Sequence, residues 1–358
     1  MKVFFDVLHL YYLPQYLPVI DELNQRGAQT VVVLYKQEDA ALNAAAEYAI
    51  KAHDLNAHWL QSESQALAFY RQCGADWVIF GKAFAAIAEL NSIVKTALMQ
   101  HGIGPKACYY DASNNATSVR FVEGQHRLNR LHTLYPDSTF ADTGYAKLDP
   151  LLSQPQYPLP SHKDFGLDAS KPTVLYAPTF YPSSLERLPK NWLANLTHCN
   201  VIIKPHYFSQ TKDKYQKHQR LLQRWQQYEH VYVSQLEEFN LVPFMALADV
   251  LVSDASSAIF EFFALGKPVV WCNFYKLRWS YRGPFAYRFK ARLDDDIDYF
   301  EPLCFKADRA SDVIRAIEEA LHQPQKFHNQ QNQTTIERLA GKLDGNSAKR
   351  IVSYLYDN

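Results

Sequence analysis

Residues 248 to 268, ADVLVSDASSAIFEFFALGKP, join a strand-like apolar run to a hydroxyl-rich turn and then a carboxylate. Ser253 and Asp254 end the strand, Ser256 and Ser257 open a helix, and Glu261 follows Ser257 by four residues, on the same helix face. Open backbone N–H groups at a helix start attract an anion, and the helix dipole adds to that field. A carboxylate one turn later is placed to accept hydrogen bonds from ribose hydroxyls. The arrangement suits a nucleoside diphosphate. Taken alone, the run reads equally well as a serine-capped helix with a solvated Glu261.

The elements that must position these residues alternate between strand and helix. In the first half, strands are predicted over 3–7, 30–35, 57–60, 77–81, 107–111 and 118–123, and helices over 18–27, 38–52, 64–73 and 91–100. The second half repeats the pattern. Its strands fall over 173–177, 201–204, 231–234, 250–253 and 268–273, with helices near 211–228, 256–265 and 310–322 and a broken helix over 334–356. Such alternation builds mostly parallel, doubly wound sheets. Residues 150–172 are rich in Pro and Ser without sustained periodicity, so the linker is expected there. The reading is α/β, with Rossmann-like domains over 1–155 and 166–358, the last helix returning to the first domain. Ligands of such sheets sit beyond the carboxyl ends of the strands.

Length and composition narrow the chemistry. A chain of 358 residues, 47% hydrophobic, is long enough for two cores. Its 37 basic and 37 acidic residues balance, so bulk charge gives no sign of a nucleic-acid partner. The five cysteines are widely spaced and form no CxxC pair, which fits a reducing compartment and argues against structural zinc. The first residues lead directly into a strand, and no apolar run approaches the roughly 20 residues of a bilayer span. Secretion and membrane spanning are not expected.

Further polar residues gather at strand ends. The strand over 173–177 runs into Pro178 and Thr179, and the one over 201–204 into Lys204, Pro205 and His206. Both ends should face the same crevice as Ser253, where His206 can bond a phosphate oxygen and Lys204 add positive charge. In the first half His101 opens HGIGPK, with Gly102 and Gly104 for tight turns and Lys106 as a cation. A neutral imidazole there could take a proton from an acceptor hydroxyl. Separately, each histidine also reads as a loop or helix cap. The other eleven histidines, His9 among them, suggest no comparable loop. Tyr11, Tyr12, Leu13, Tyr16 and Leu17 follow the first strand, either exposed at the cleft rim for an acceptor or buried as the first helix packing on its sheet.

Taken in order, HGIGPK, TGYAKLD (Thr143 to Asp149), YAPTF (Tyr176 to Phe180), IKPH (Ile203 to His206) and SDASSAIFEFFALGKPVV (Ser253 to Val270) resemble the motifs of the CDP-glycerol glycerophosphotransferases of teichoic acid synthesis. DGNSAKRI, from Asp344 to Ile351, resembles that family's C-terminal stretch. The resemblance implies a GT-B fold, two Rossmann-like domains facing a central cleft. It implies transfer of glycerol phosphate from CDP-glycerol to a hydroxyl of a glycan or lipid-linked acceptor, with release of CMP. His101 would be the general base and His206 the donor-side phosphate contact, with Ser256 and Ser257 on the diphosphate and Glu261 on the ribose. Lys204, Thr179, Ser253 and Asp254 complete the expected donor side, and Gly102, Lys106, Tyr11 and Tyr12 the acceptor side. Neither metal nor organic cofactor is expected, and the 294–296 aspartates read as a solvated loop. The implied location is cytoplasmic, with peripheral association at the inner membrane face. A GT-B enzyme using a nucleotide sugar, an epimerase of similar fold and a non-catalytic nucleotide-binding module remain open as alternatives.

Overall fold

A computed structural model describes residues 1–153 and 159–358. Its first sheet contains β1 (Lys2–Val7), β2 (Gln29–Tyr35), β3 (Ala57–Leu60), β4 (Trp77–Phe80), β5 (Lys95–Met99), β6 (Val119–Val122) and β7 (Phe140–Asp142), in the order β3-β2-β1-β4-β5-β6-β7. The second contains β8 (Thr173–Ala177), β9 (Asn200–Ile203), β10 (Val231–Val233), β11 (Val250–Ser253), β12 (Val269–Cys272) and β13 (Phe305–Ala307), ordered β10-β9-β8-β11-β12-β13. Every pairing is parallel. Helices cover both faces of each sheet, so central strands such as β9 and β11 are buried at every residue and read as continuous apolar runs.

In each sheet the chain winds outward from one strand and then crosses back beside it, between β1 and β4 in the first and between β8 and β11 in the second. At these switch points the connections diverge and leave a crevice beyond the strand ends. The two domains are therefore α/β units of the same plan.

Several contacts fix one domain on the other. Ile103, Tyr145 and Leu148 leave the first domain to join the hydrophobic core of the second, while Leu236 and Phe239 of the second pack against the core of the first. The last helix, Ser347–Asp357, buries Ala348, Ile351, Val352 and Leu355 in the first-domain core. Asp149 caps that helix by accepting from the backbone N–H of Ser347 at 3.2 Å and of Ala348 at 2.7 Å, a cap worth about 1 kcal/mol.

The structure departs from the sequence reading in places. The helix expected over 91–100 is instead β5, because Thr96 to Met99 is a buried apolar run held between β4 and β6. The strand expected over 107–111 is a single 3-10 turn, Ala107–Tyr110, with the Tyr109 carbonyl held by the buried Arg120 guanidinium at 2.7 Å. The edge strands β7 and β13, three residues each, had no counterpart in the sequence reading. The expected linker lies between β7 and β8, and its residues 154–158 fall outside the described residues.

Candidate active site

A cleft of about 680 Å³ lies between the domains, bounded by the ends of β5, β8, β9 and β11. His101, Lys106, Tyr11 and Lys147 line it from the first domain, and Thr179, Lys204, His206, Ser256, Ser257 and Glu261 from the second. Ten of these wall residues, from segments far apart in sequence, thus converge on one cavity.

His101 follows β5 rather than a helix. Its Nδ1 lies 3.2 Å from the Gly81 carbonyl oxygen, which can only accept, so Nδ1 carries the proton and Nε2 keeps its lone pair. The ring stacks on Tyr12 at 4.8 Å between centroids and meets the edge of Tyr11 at 5.2 Å. Burial, and next the charge of Lys106, pushes the His101 pKa down to about 3. The imidazole is therefore held neutral.

His206 shows the opposite tautomer. It is the N-cap of the short helix Tyr207–Thr211, and its Nδ1 accepts the backbone N–H of Phe208 at 3.1 Å. Its proton is therefore on Nε2. Burial, followed by Lys106 and Lys204, lowers its pKa to about 3 as well. The ring of Tyr11 stands 6.0 Å from His206, so one tyrosine lies beside both imidazoles.

The HGIGPK loop presses on the start of the helix Ser257–Phe263. A Cβ on Gly102 would lie 2.9 Å from the Tyr109 hydroxyl and 3.1 Å from Ser257 Oγ, and one on Gly104 only 2.8 Å from the Ser257 backbone nitrogen. Neither glycine has positive φ. Close approach between domains, rather than a tight turn, is what these glycines permit. Ser256 is the N-cap in extended conformation, yet its side chain makes no capping bond and instead meets Ser253 Oγ at 2.9 Å. The plain serine-cap reading therefore does not describe Ser256.

Glu261 is fully buried and does not stand free. Lys147 reaches it at 2.6 Å and the Tyr145 hydroxyl donates to it at 3.2 Å, both from the TGYAKLD segment across the cleft. The solvated glutamate weighed from the sequence is thus excluded. Lys204, at the end of β9, has its pKa lowered to about 8 by burial, with Glu238 opposing.

Four expected site residues lie behind the wall. Ser253 is buried and donates to the Ala177 carbonyl at 2.7 Å. Asp254, also buried, accepts from the backbone N–H and hydroxyl of Thr179 at 2.8 and 3.1 Å and from the Ser184 N–H at 3.0 Å. It orders the loop after β8. Tyr12 packs over Gly81 beneath His101, and Gly102 is buried against Ser257. Tyr12, Leu13, Tyr16 and Leu17 are core residues, leaving Tyr11 as the member of that cluster on the cleft.

The sequence reading passed over several residues. Lys147 and Tyr145 sat inside a quoted motif but carried no assigned role. His9, set aside as background, follows β1 and stacks on Tyr11 at 5.1 Å, its pKa lowered to about 4 by burial. Its strand-end position was the available signal. The 294–296 aspartates are not a solvated run. Asp294 takes both guanidinium nitrogens of Arg130 at 2.5 and 2.7 Å, and Asp296 meets His126 at 2.7 Å and the Tyr110 hydroxyl at 3.0 Å. Both aspartates are buried, clasping the second domain to the first.

A comparison with curated protein sequences finds no significant match. Among solved structures, the chain is similar to UDP-GlcNAc 2-epimerase from Neisseria meningitidis bound to UDP-GlcNAc, with 14% identity and a TM-score of 0.64 over 100% of both chains. It is similar to the wall teichoic acid polymerase TagF, with 13% identity and a TM-score of 0.65 over 100% of this chain and 88% of that one. A TagF variant soaked with CDPG gives 13% identity and a TM-score of 0.66, covering 99% and 88%. At such identities these likenesses show the fold, which is GT-B. The family described as CDP-Glycerol:Poly(glycerophosphate) glycerophosphotransferase matches residues 105–357. That span begins just after His101 and takes in Lys106, Lys147, Lys204, His206, the serine turn, Glu261 and the last helix. The chain is an enzyme that belongs to the CDP-glycerol glycerophosphotransferase family.

Proposed function

We propose that the enzyme transfers glycerol phosphate from CDP-glycerol to a hydroxyl of a cell-envelope glycan or lipid-linked acceptor and releases CMP. The observation that carries this reading is the pair of neutral imidazoles with opposite tautomers in one cleft, His101 with a free Nε2 lone pair and His206 with an Nε2–H. One can accept a proton from the nucleophile. The other can donate to a phosphoryl oxygen.

In this mechanism the acceptor oxygen attacks the phosphorus that carries glycerol, and its proton passes to His101 Nε2. The bond from that phosphorus to the bridging oxygen breaks, and CMP leaves with the oxygen and its electron pair. His206 Nε2–H, Lys204 and the N–H groups at the start of the helix Ser257–Phe263 offset the charge on the phosphates, with Ser256 and Ser257 hydroxyls beside them. Glu261 has lone pairs beyond those used by Lys147 and Tyr145, and the ribose hydroxyls donate to these. A histidine with a pKa near 3 is a weak base, but the two negative phosphates of a bound donor raise it toward neutrality.

On the acceptor side, Lys106 faces the cleft, and Tyr11 forms an aromatic wall with Tyr207 and Phe208, their rings 6.4 and 6.5 Å away. Such a wall stacks on a sugar ring. TagF, of the same fold, is a wall teichoic acid polymerase, which supports a cell-envelope acceptor. An acceptor of that kind places the enzyme at the inner face of the cytoplasmic membrane.

Removing either imidazole tests the roles. His101→Ala and His206→Ala should each lower kcat by about 100-fold or more, the range for a lost general acid or base, while circular dichroism stays that of the wild type. A near wild-type rate in either variant would sink its assignment.

A further inference from the structure

Tyr145 belongs to the first domain by chain and to the second by packing. It follows β7 as the N-cap residue of the 3-10 helix Ala146–Leu148, and its side chain, 3% exposed, lies in the second domain's core. Its hydroxyl reaches two acceptors at once. The His101 carbonyl oxygen stands 3.0 Å away and Glu261 Oε1 3.2 Å away. A phenol carries one proton, and a carbonyl and a carboxylate paired with Lys147 only accept, so the two compete for it. Burial, with the Glu261 charge next, holds the Tyr145 pKa well above its ordinary value, and the proton stays on the phenol.

The loop after His101 rests on the same donor-side helix. Gly102 and Gly104 lie against Ser257 at the start of the helix Ser257–Phe263, Ile103 is buried in the second domain's core, and Glu261 is one turn further along. The backbone that carries the His101 imidazole thus meets this helix twice, at its start and, through Tyr145, at its carboxylate. The ring itself bonds the Gly81 carbonyl through Nδ1. Where its Nε2 lone pair points therefore depends on how firmly the backbone holds its other end.

We propose that Tyr145 is a positioning residue that makes the alignment of His101 depend on an occupied ribose site. The inference rests on the transferase reading for the roles of His101 and Glu261. When ribose hydroxyls donate to Glu261, the carboxylate draws less on the phenol, and the Tyr145 proton settles on the His101 carbonyl. That bond steadies the loop and aims the Nε2 lone pair while a donor is bound. Without a donor the proton is shared and the loop is held less firmly. An acceptor hydroxyl then meets an aligned base only opposite a loaded donor site.

Nitrogen NMR of the intact protein with isotope-labelled histidine tests this, the His101 signals being identified by their absence in His101→Asn. CDP and its dideoxy analogue, which lacks both ribose hydroxyls, carry the same phosphates and base. At saturation, the difference between their effects on His101 reports the ribose alone. In the wild type the dideoxy analogue should reproduce only part of the shift that CDP causes. In Tyr145→Phe, which keeps the ring and the thermal midpoint, the two nucleotides should give the same shift. A tyrosine with a merely structural role would leave the ribose-dependent shift in place. In turnover, Tyr145→Phe should lower kcat about tenfold while the donor KM moves about twofold or less. Equal shifts with the two nucleotides in the wild type overturn the proposal, as does a ribose-dependent shift that survives in Tyr145→Phe or a kcat that does not fall. Should the wild type transfer nothing from CDP-glycerol, the transferase reading fails by itself, and the nucleotide shifts still decide the coupling.

Discussion

Lowering the pH from 7 to 5 should destabilise this protein through its two cleft histidines. Their ordinary value is 6.5 and their folded value is about 3, so the unfolded chain takes up protons in this range and the folded chain does not. A folded value below the unfolded one makes stability fall as pH drops through 6.5, and the loss levels off near 3. For a histidine kept wholly neutral, the loss between pH 7 and 5 is about 2 kcal/mol. Both rings keep some contact with cleft water, which trims this to about 1–2 kcal/mol each. Urea unfolding of wild type, His101→Asn and His206→Asn at the two pH values isolates the effect, because other titrating groups cancel in the comparison. Each variant should lose about 1–2 kcal/mol less than wild type on acidification. Identical losses would show that the cleft does not hold these imidazoles neutral, and the tautomer argument would fall with them. The same linkage predicts that CDP-glycerol, whose phosphates favour the protonated rings, binds more tightly at pH 5 than at pH 7.

Two further outcomes follow from the contacts across the cleft. Lys147→Met leaves the fully buried Glu261 carboxylate without its cation and should cost about 3–5 kcal/mol in urea unfolding, with the Glu261→Gln/Lys147→Met pair costing less than the sum of its parts. Additive costs would mean the ion pair is not coupled. Gly104→Ala forces a methyl to within 2.8 Å of the Ser257 backbone nitrogen. It should cost about 1–3 kcal/mol and raise the donor KM, as read by thermal unfolding and a donor titration, whereas an unchanged KM would detach this loop from the donor site.

The central strands were legible because burial on both faces leaves an apolar run with polar punctuation, as in β8, β9 and β11. β5 was misread since Thr96 to Met99 is short and apolar, a pattern shared by buried strands and buried helix segments, and its neighbours β4 and β6 decide between them. His206 was legible from its strand-end position, and His101 from the glycine-rich HGIGPK loop it opens, although the element before it was read as a helix. What each does with its protons was not, because Gly81 lies 20 residues from His101 and the tautomer depends on that contact. Glu261 was visible as a carboxylate, while its partner Lys147, 114 residues away, is brought to it by the packing of one domain on the other.

The most direct test is to incubate the enzyme with CDP-glycerol and a lipid-linked glycan extract and to follow both products by mass spectrometry, with a UDP-sugar in parallel. The acceptor should gain one or more glycerol phosphate units with one CMP released for each, and cytidine nucleotides should compete where uridine nucleotides do not. Sugar transfer with release of UDP, or CDP-glycerol that binds and is recovered unchanged, would contradict it.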